Sequence, residues 1–293
     1  MIYQGVLKKM MTENTEVIQY YLDMNDDFIN MNQLLGSQIE IHFVRYECLN
    51  CHSEKEIYRQ GFCKSCFFDT PNAGDWIMRP ELSTAHLGIE DRNLAYEQSV
   101  QLKPHIVYLA NSSNVKVGVT RKQQVPTRWI DQGAHEAIEI LEAPNRYLAG
   151  ITEVALKEHV ADKPNWRKML KNDIEDVNLL AWRTQLEAYI PEEAKAYFIA
   201  DHTETHLNFP VLKYPVKPKS LNLIKKPSDI FDLNYNKIKM LEGWGELSVL
   251  NLKSSIENKK GKLVGIKGQY LIFEDETVFN VRANEGLVVS LKF

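Results

Sequence analysis

The chain's four cysteines fall in one window, as Cys48-Leu-Asn-Cys51 and Cys63-Lys-Ser-Cys66. Two Cys-x-x-Cys pairs at hairpin separation give Cys48, Cys51, Cys63 and Cys66 the reach for a closed tetrahedral Zn²⁺ site. Gly61, just before the second pair, permits the tight turn such a knuckle needs. Disulfides are the weaker alternative, because no charged-then-apolar leader points to an oxidising compartment. An iron-sulfur cluster would use a similar thiolate set. A four-cysteine site leaves no open coordination position, so its expected role is to hold a small module together rather than to catalyse. Arg45, Lys55, Arg59 and Lys64 surround the cluster in sequence; scattered charge of this kind reads first as solubility and second as phosphate contact.

At 293 residues with 44% apolar content, the chain can bury real cores, and its length suggests two or three domains. No apolar run approaches the ~20 residues of a membrane span, and the expected location is the cytoplasm. A net charge of -4 and a pI of about 6.1 exclude a strongly basic, non-specific nucleic-acid binder. Any nucleic-acid contact must come from local patches.

The two ends of the chain look related. Gly5-Val-Leu7, Tyr21-Leu22, Asn30, Gly36 and Phe43 recur as Gly261-Lys-Leu263, Tyr270-Leu271, Asn280, Gly286 and Phe293, with identical spacing from the asparagine onward. Alternation in Gln38–Phe43 and Leu287–Phe293 reads as a final strand in each copy. We expect two similar β-meanders that pack into one barrel or sandwich, an arrangement that hides edges best when closed.

Between them, Ile106-Val107-Tyr108-Leu109-Ala110 and Val115-Lys116-Val117-Gly118-Val119-Thr120 flank Asn-Ser-Ser-Asn, a strand-turn-strand signal. Alternation puts Tyr108 on one face of the first strand and Lys116 with Gly118 on one face of the second, so both polar side chains can point into one cleft. Pro126 or Thr127 opens and Gly133 ends a short helix carrying Arg128. Residues 145–159 read as an amphipathic helix with Asn145 as N-cap and Glu153 paired to Lys157 at i,i+4. Taken plainly, Tyr108 is a core tyrosine, Arg128 pairs with Asp131, Glu153–Lys157 is a surface pair, and His159 is a helix-end histidine. Ile174 to Ile190 has helical period, Pro191 opens a further short helix, Trp166 and Trp182 are packing anchors, and 201–206 is a polar loop. The proline- and lysine-rich stretch 210–228 reads as a semi-rigid linker.

These strings resemble the GIY-YIG nuclease superfamily over roughly residues 104–172. Ile106-Val107-Tyr108 stands for the first motif and Lys116-Val117-Gly118 for the second, with Ile in place of the leading glycine, Lys116 in place of the second tyrosine and a short hairpin loop. The chain also resembles a bacterial family of unassigned function, in which a cysteine cluster precedes the same two strings. The superfamily resemblance implies an α+β core, a small antiparallel sheet with helices, in which Tyr108 orients or deprotonates water. Arg128 neutralises phosphoryl charge, Glu153 holds Mg²⁺ or Mn²⁺, and Lys116 adds a cationic contact; His159 could approach the same cleft. A free tyrosine titrates near pH ~10, so Tyr108 would need Lys116 and Arg128 to favour its phenolate. The expected organisation is a meander (1–44), a zinc module and connector (45–103), an α/β domain (104–209), a linker (210–228) and a C-terminal β domain (229–293). The expected activity is divalent-metal-dependent cleavage of DNA or RNA, and the alternative is an inactive zinc-containing module that binds nucleic acid or protein.

Overall fold

The computed structural model describes residues 2–25, 27–160, 165–200, 204–210, 219–221 and 258–293. It is a mixed α/β structure with several antiparallel sheets, and the chain divides into two compact units. One comprises residues 1–13, 19–68 and 210–293, the other residues 14–18 and 69–209. Most of the linker 210–228 and the start of the segment 229–293 lie outside the described residues. Among the described residues, no helix is long and apolar enough to cross a membrane.

The first unit is built from both chain ends. Its seven-stranded sheet runs Ile2–Val6, Leu287–Lys292, Gln38–Tyr46, Asn258–Lys267, Tyr270–Phe273, Thr277–Asn280, Lys219–Leu221. The two copies seen in the sequence exchange strands across a local two-fold. Gly5 lies opposite Val289, and its counterpart Gly261 lies opposite Ile39, the counterpart of Val289. Ile41 faces its own counterpart, Leu291, at the centre. The turn hydrogen bonds repeat as well: Gly36 N donates to Leu263 O at 2.8 Å, and Gly286 N donates to Leu7 O at 2.9 Å. Both turn glycines have φ of +83°, a left-handed conformation that costs any side chain dearly. Each asparagine then accepts a hydrogen bond that opens a 3₁₀ turn, Asn30 from the Asn32 amide and Asn280 from the Ala283 amide.

Of the expected barrel or sandwich, no closed barrel forms among the described residues. Met11–Glu13, Gln19–Met24 and Asp27–Asn30 make a separate three-stranded sheet, and the seven-stranded sheet is open over the described strands. The reason lies in one connection. In the second copy, the first two strands are joined by a tight turn at Gly268, with φ of +60°, whereas in the first copy residues 7–18 intervene. Ile2–Val6 therefore crosses Gln19–Met24 instead of pairing with it, and Gly5 permits the approach: a Cβ there would lie 2.6 Å from Met24 Cα.

The second unit centres on an antiparallel sheet in the order Thr205–His206, Glu136–Ala143, His105–Asn111, Val115–Arg121. His105–Asn111 is buried along its whole length, so both faces are covered and the strand reads as a continuous apolar run. Val107, Leu109, Val115 and Val117 pack with Ala149 and Leu156 of the helix Arg146–Lys157 and with Leu179 and Leu186 of the helix Leu179–Leu186. Helical structure within 174–190 thus starts later than its period suggests, at Leu179 behind an Asn178 cap, and ends in a 3₁₀ turn at Glu187–Tyr189. Pro191 precedes the short helix Glu192–Lys195.

Candidate functional site

The cysteine window folds as the sequence predicts. Cys48–Cys51 sits on a turn in which the His52 amide donates to Cys48 O at 2.9 Å, and Cys63 ends a small hairpin, Ile57–Arg59 with Phe62–Cys63. Cys66 lies in the helix Lys64–Asp69. Gly61 turns the hairpin at φ +78°, and a Cβ there would strike Leu49 Cδ1 at 2.3 Å. The four sulfurs lie within 4.8 Å of one another, with Cys51 Sγ and Cys63 Sγ 3.9 Å apart. Tetrahedral Zn–S bonds of ~2.3 Å place sulfurs about 3.8 Å apart, so the set fits that ion. Donors already face the sulfurs: Cys63 N to Cys48 Sγ at 3.3 Å and Asn50 Nδ2 to Cys66 Sγ at 3.4 Å. The Ser53 hydroxyl and amide bring Cys51 down to about 6. Cys66, although Asn50 donates to it, is pushed up to about 12 by burial and the other sulfurs. A bound dication would relieve that crowding and hold all four as thiolates. These cysteines can hold a structural zinc.

On the hairpin of the second unit, Tyr108 lies directly opposite Gly118, and Lys116 opposite Ala110 on the same face. Tyr108 is fully buried with its ring edge-on to Trp129 at 5.8 Å. Its phenol oxygen has no well-formed hydrogen bond among the described residues, and the same holds for Trp129 Nε1 and Gln132 Oε1. Burial raises the Tyr108 pKa, against the pull of Arg128 and with a push from Glu153. The phenol is therefore neutral at ordinary pH. Lys116 behaves differently: burial, helped by Arg128, lowers it to about 7. At neutral pH its amine is divided between acceptor and cation.

Arg128 stands on the helix Thr127–Asp131, which Pro126 precedes and Gly133 closes at φ +65°. Glu153 lies on the helix Arg146–Lys157, where Asn145 Oδ1 accepts from the Leu148 amide at 2.9 Å, the predicted cap. The predicted pair forms too, with Lys157 Nζ 3.1 Å from Glu153, although Glu153 is only 7% exposed. Burial raises Glu153, Lys157 and Arg146 oppose the shift, and Glu81 adds to it. His159 does not join this group: it is exposed beyond the helix end and stacks on Tyr189, rings 3.6 Å apart.

Three contributors escape a reading of the sequence. Arg146 is a buried arginine in the first helical turn, where the helix dipole disfavours a cation; its Nε donates to Trp76 O at 3.0 Å and its Nη2 to Ile77 O at 2.8 Å. That unfavourable placement is the signal that could have marked it. Glu81 comes near through Gly150, where a Cβ would lie 2.3 Å from Glu81 N. Arg121 pairs across the hairpin from the buried His105, and both Arg121 and Arg146 help burial lower His105 to about 4. Lys116, Arg121, Arg128 and Arg146 thus make one positive neighbourhood around Tyr108 and Glu153 in a chain of net charge -4.

Fold and sites define a mixed α/β protein with a zinc-competent Cys₄ module and a separate cationic cluster on a buried hairpin. The chain belongs to the family described as "Protein of unknown function (DUF2797)", whose profile matches residues 36–289. A stretch of 41 residues, 14% of the chain, is 66% identical to part of a protein named DNA ligase from Pelagibacter ubique (strain HTCC1062). That match spans 6% of the ligase. No solved structure matches the chain significantly.

Proposed function

We propose that the hairpin of the second unit is a divergent GIY-YIG-like site that cleaves phosphodiester bonds in DNA or RNA with Mg²⁺ or Mn²⁺. The observation that carries this reading is the grouping of Lys116 and Glu153 around Tyr108 and Arg128: Arg128 and Glu153 both act on the Tyr108 phenol, Arg128 also acts on Lys116, and Lys116 shares the hairpin face of Tyr108. Glu153, with Glu81 beside it, would supply the hard oxygen ligands a small dication takes; burial raises Glu153, and Glu81 adds to the shift. Bound there, the ion would polarise a phosphoryl oxygen. Arg128 would neutralise charge on the other oxygens through its planar fork of donors. Lys116, with its amine half neutral near pH 7, would accept the proton of the attacking water, and Tyr108 would orient that water with a neutral phenol. The short DNA ligase likeness supports nucleic acid as the substrate class.

A second reading has its own support. Tyr108 Oη is enclosed and Glu153 is already engaged by Lys157 at 3.1 Å, as in a hairpin retained for binding alone. One assay separates the two: labelled single-stranded, double-stranded and branched DNA and RNA with Mg²⁺ or Mn²⁺ and with EDTA, beside Tyr108→Phe and Glu153→Ala. Metal-dependent cutting lost in both variants establishes the nuclease. Salt-sensitive binding without cutting, unchanged in both, establishes the binding module.

A further inference from the structure

The zinc-competent module carries an aromatic group that neither the cysteine site nor the hairpin site uses. Tyr58, Phe67 and Phe68 meet edge-on or tilted, with centroids 5.3 Å apart for Tyr58–Phe67 and for Phe67–Phe68 and 5.8 Å for Tyr58–Phe68. Phe68 is 55% exposed, which an aromatic gains nothing from in a closed core. Two cations lie near the rings, and the exposed Asp69 follows Phe68 on the same helix. Arg59 lies 5.5 Å over the Tyr58 ring, and the exposed Lys64 stands one helical turn before Phe68 on Lys64–Asp69. The cysteine site fixes this surface, because Cys66 projects inward from the same short helix two residues before Phe68 and is 9% exposed.

From this geometry we propose that Tyr58 and Phe68, with Arg59 and Lys64, form a stacking platform for unpaired bases of a single-stranded nucleic acid. Every base has a π-face, so rings of this kind bind single strands with little sequence preference, and adjacent guanidinium and ammonium groups meet the phosphates. A duplex hides its base faces and would be held only through the cations. The platform goes beyond the hairpin site and does not depend on cleavage. Its strength depends on the metal, since the helix bearing Phe68 is tied down through Cys63 and Cys66.

The test uses the full zinc-loaded chain in the Tyr108→Phe, Glu153→Ala background, so that cutting cannot intervene, with a fluorescent oligothymidylate and an oligouridylate, each about 20 nucleotides long, and a matched duplex. Phe68→Ala and Tyr58→Ala should each weaken single-strand binding about 10-fold with zinc content unchanged, Phe68→Trp should retain it, and Lys64→Ala should flatten its salt dependence. Phe28→Ala removes an equally exposed aromatic of the same unit, 63% exposed, and should change nothing. Ring resonances of Tyr58 and Phe68 in the unsubstituted aromatic cluster should shift on adding the oligomer. Wild-type affinity in both alanine variants, or ring resonances that do not move, overturns the proposal. A fall from dimer to monomer in Phe68→Ala without loss of binding also overturns it, and assigns the surface to a second copy of the chain.

Discussion

Gly118 sits directly across the hairpin from Tyr108, and a Cβ at that position would lie 2.6 Å from the phenol oxygen. The missing side chain is what lets the ring lie over the neighbouring strand and bring its hydroxyl toward Arg128 and Gln132. Gly118→Ala should therefore displace the Tyr108 ring and destabilise the second unit by about 1–3 kcal/mol, the usual cost of overpacking a tight core. Double-mutant cycles with Tyr108→Ala check it: with the ring gone, most of the penalty should disappear, whereas Tyr108→Phe keeps Cζ, 2.7 Å from that Cβ, and should retain it.

The Lys116 amine titrates near 7 in the folded chain, against an ordinary value of 10.5. Because folding depresses this pKa, the unfolded chain binds the extra proton between those limits, so stability rises with pH across that window. Lys116→Met should stabilise the protein most at and below about pH 7, and the gain should vanish above about pH 10.5. Denaturant titrations of both proteins across this range measure it, and a gain that does not depend on pH would contradict it. If the hairpin cleaves, its rate should rise with pH through about 7 and lose that limb in Lys116→Met.

One Zn²⁺ per chain should be released when all four cysteines are modified, and Cys63→Ser should abolish binding. Structural zinc contributes folding free energy directly, so residues 47–68 should become protease-sensitive in that variant. The second unit contains no cysteine, and its own thermal transition should stay in place. Metal analysis with limited proteolysis decides the matter.

The two related turns give a matched pair of tests. Gly36→Ala and Gly286→Ala both force a Cβ into φ of +83°, a strain of about 1–2 kcal/mol each. At Gly286 a Cβ would also meet Ile57 Cδ1 of the cysteine module at 2.8 Å. Gly286→Ala should therefore weaken zinc retention, measured by competition with a chelator, and Gly36→Ala should not.

The sequence by itself determined whatever rests on short-range chemistry. The Cys₄ spacing, the turn at Gly61, the hairpin around Asn111–Asn114, the Asn145 cap and the Glu153–Lys157 pair all follow from local spacing and backbone preference, although Glu153 is buried where the sequence reads a surface pair. The repeat of the two ends was legible too, because two copies of one chain segment keep the same turn residues. Tertiary structure decided what separates elements distant in the chain. Residues 7–18 interrupt one copy and take its second strand into a separate sheet, where the hiding of edges alone favours closure. The strand Glu136–Ala143 leaves no clean period in the sequence, because Ala137, Ile138, Ile140 and Leu141 are all buried. Arg121, Arg146 and Glu81 reach the hairpin only through packing, and His159 leaves it for Tyr189. Burial also set the charge states: it keeps the Tyr108 phenol neutral, as it is in water, and turns the Lys116 ammonium into a half-neutral amine, and no spacing in the sequence encodes that loss of water.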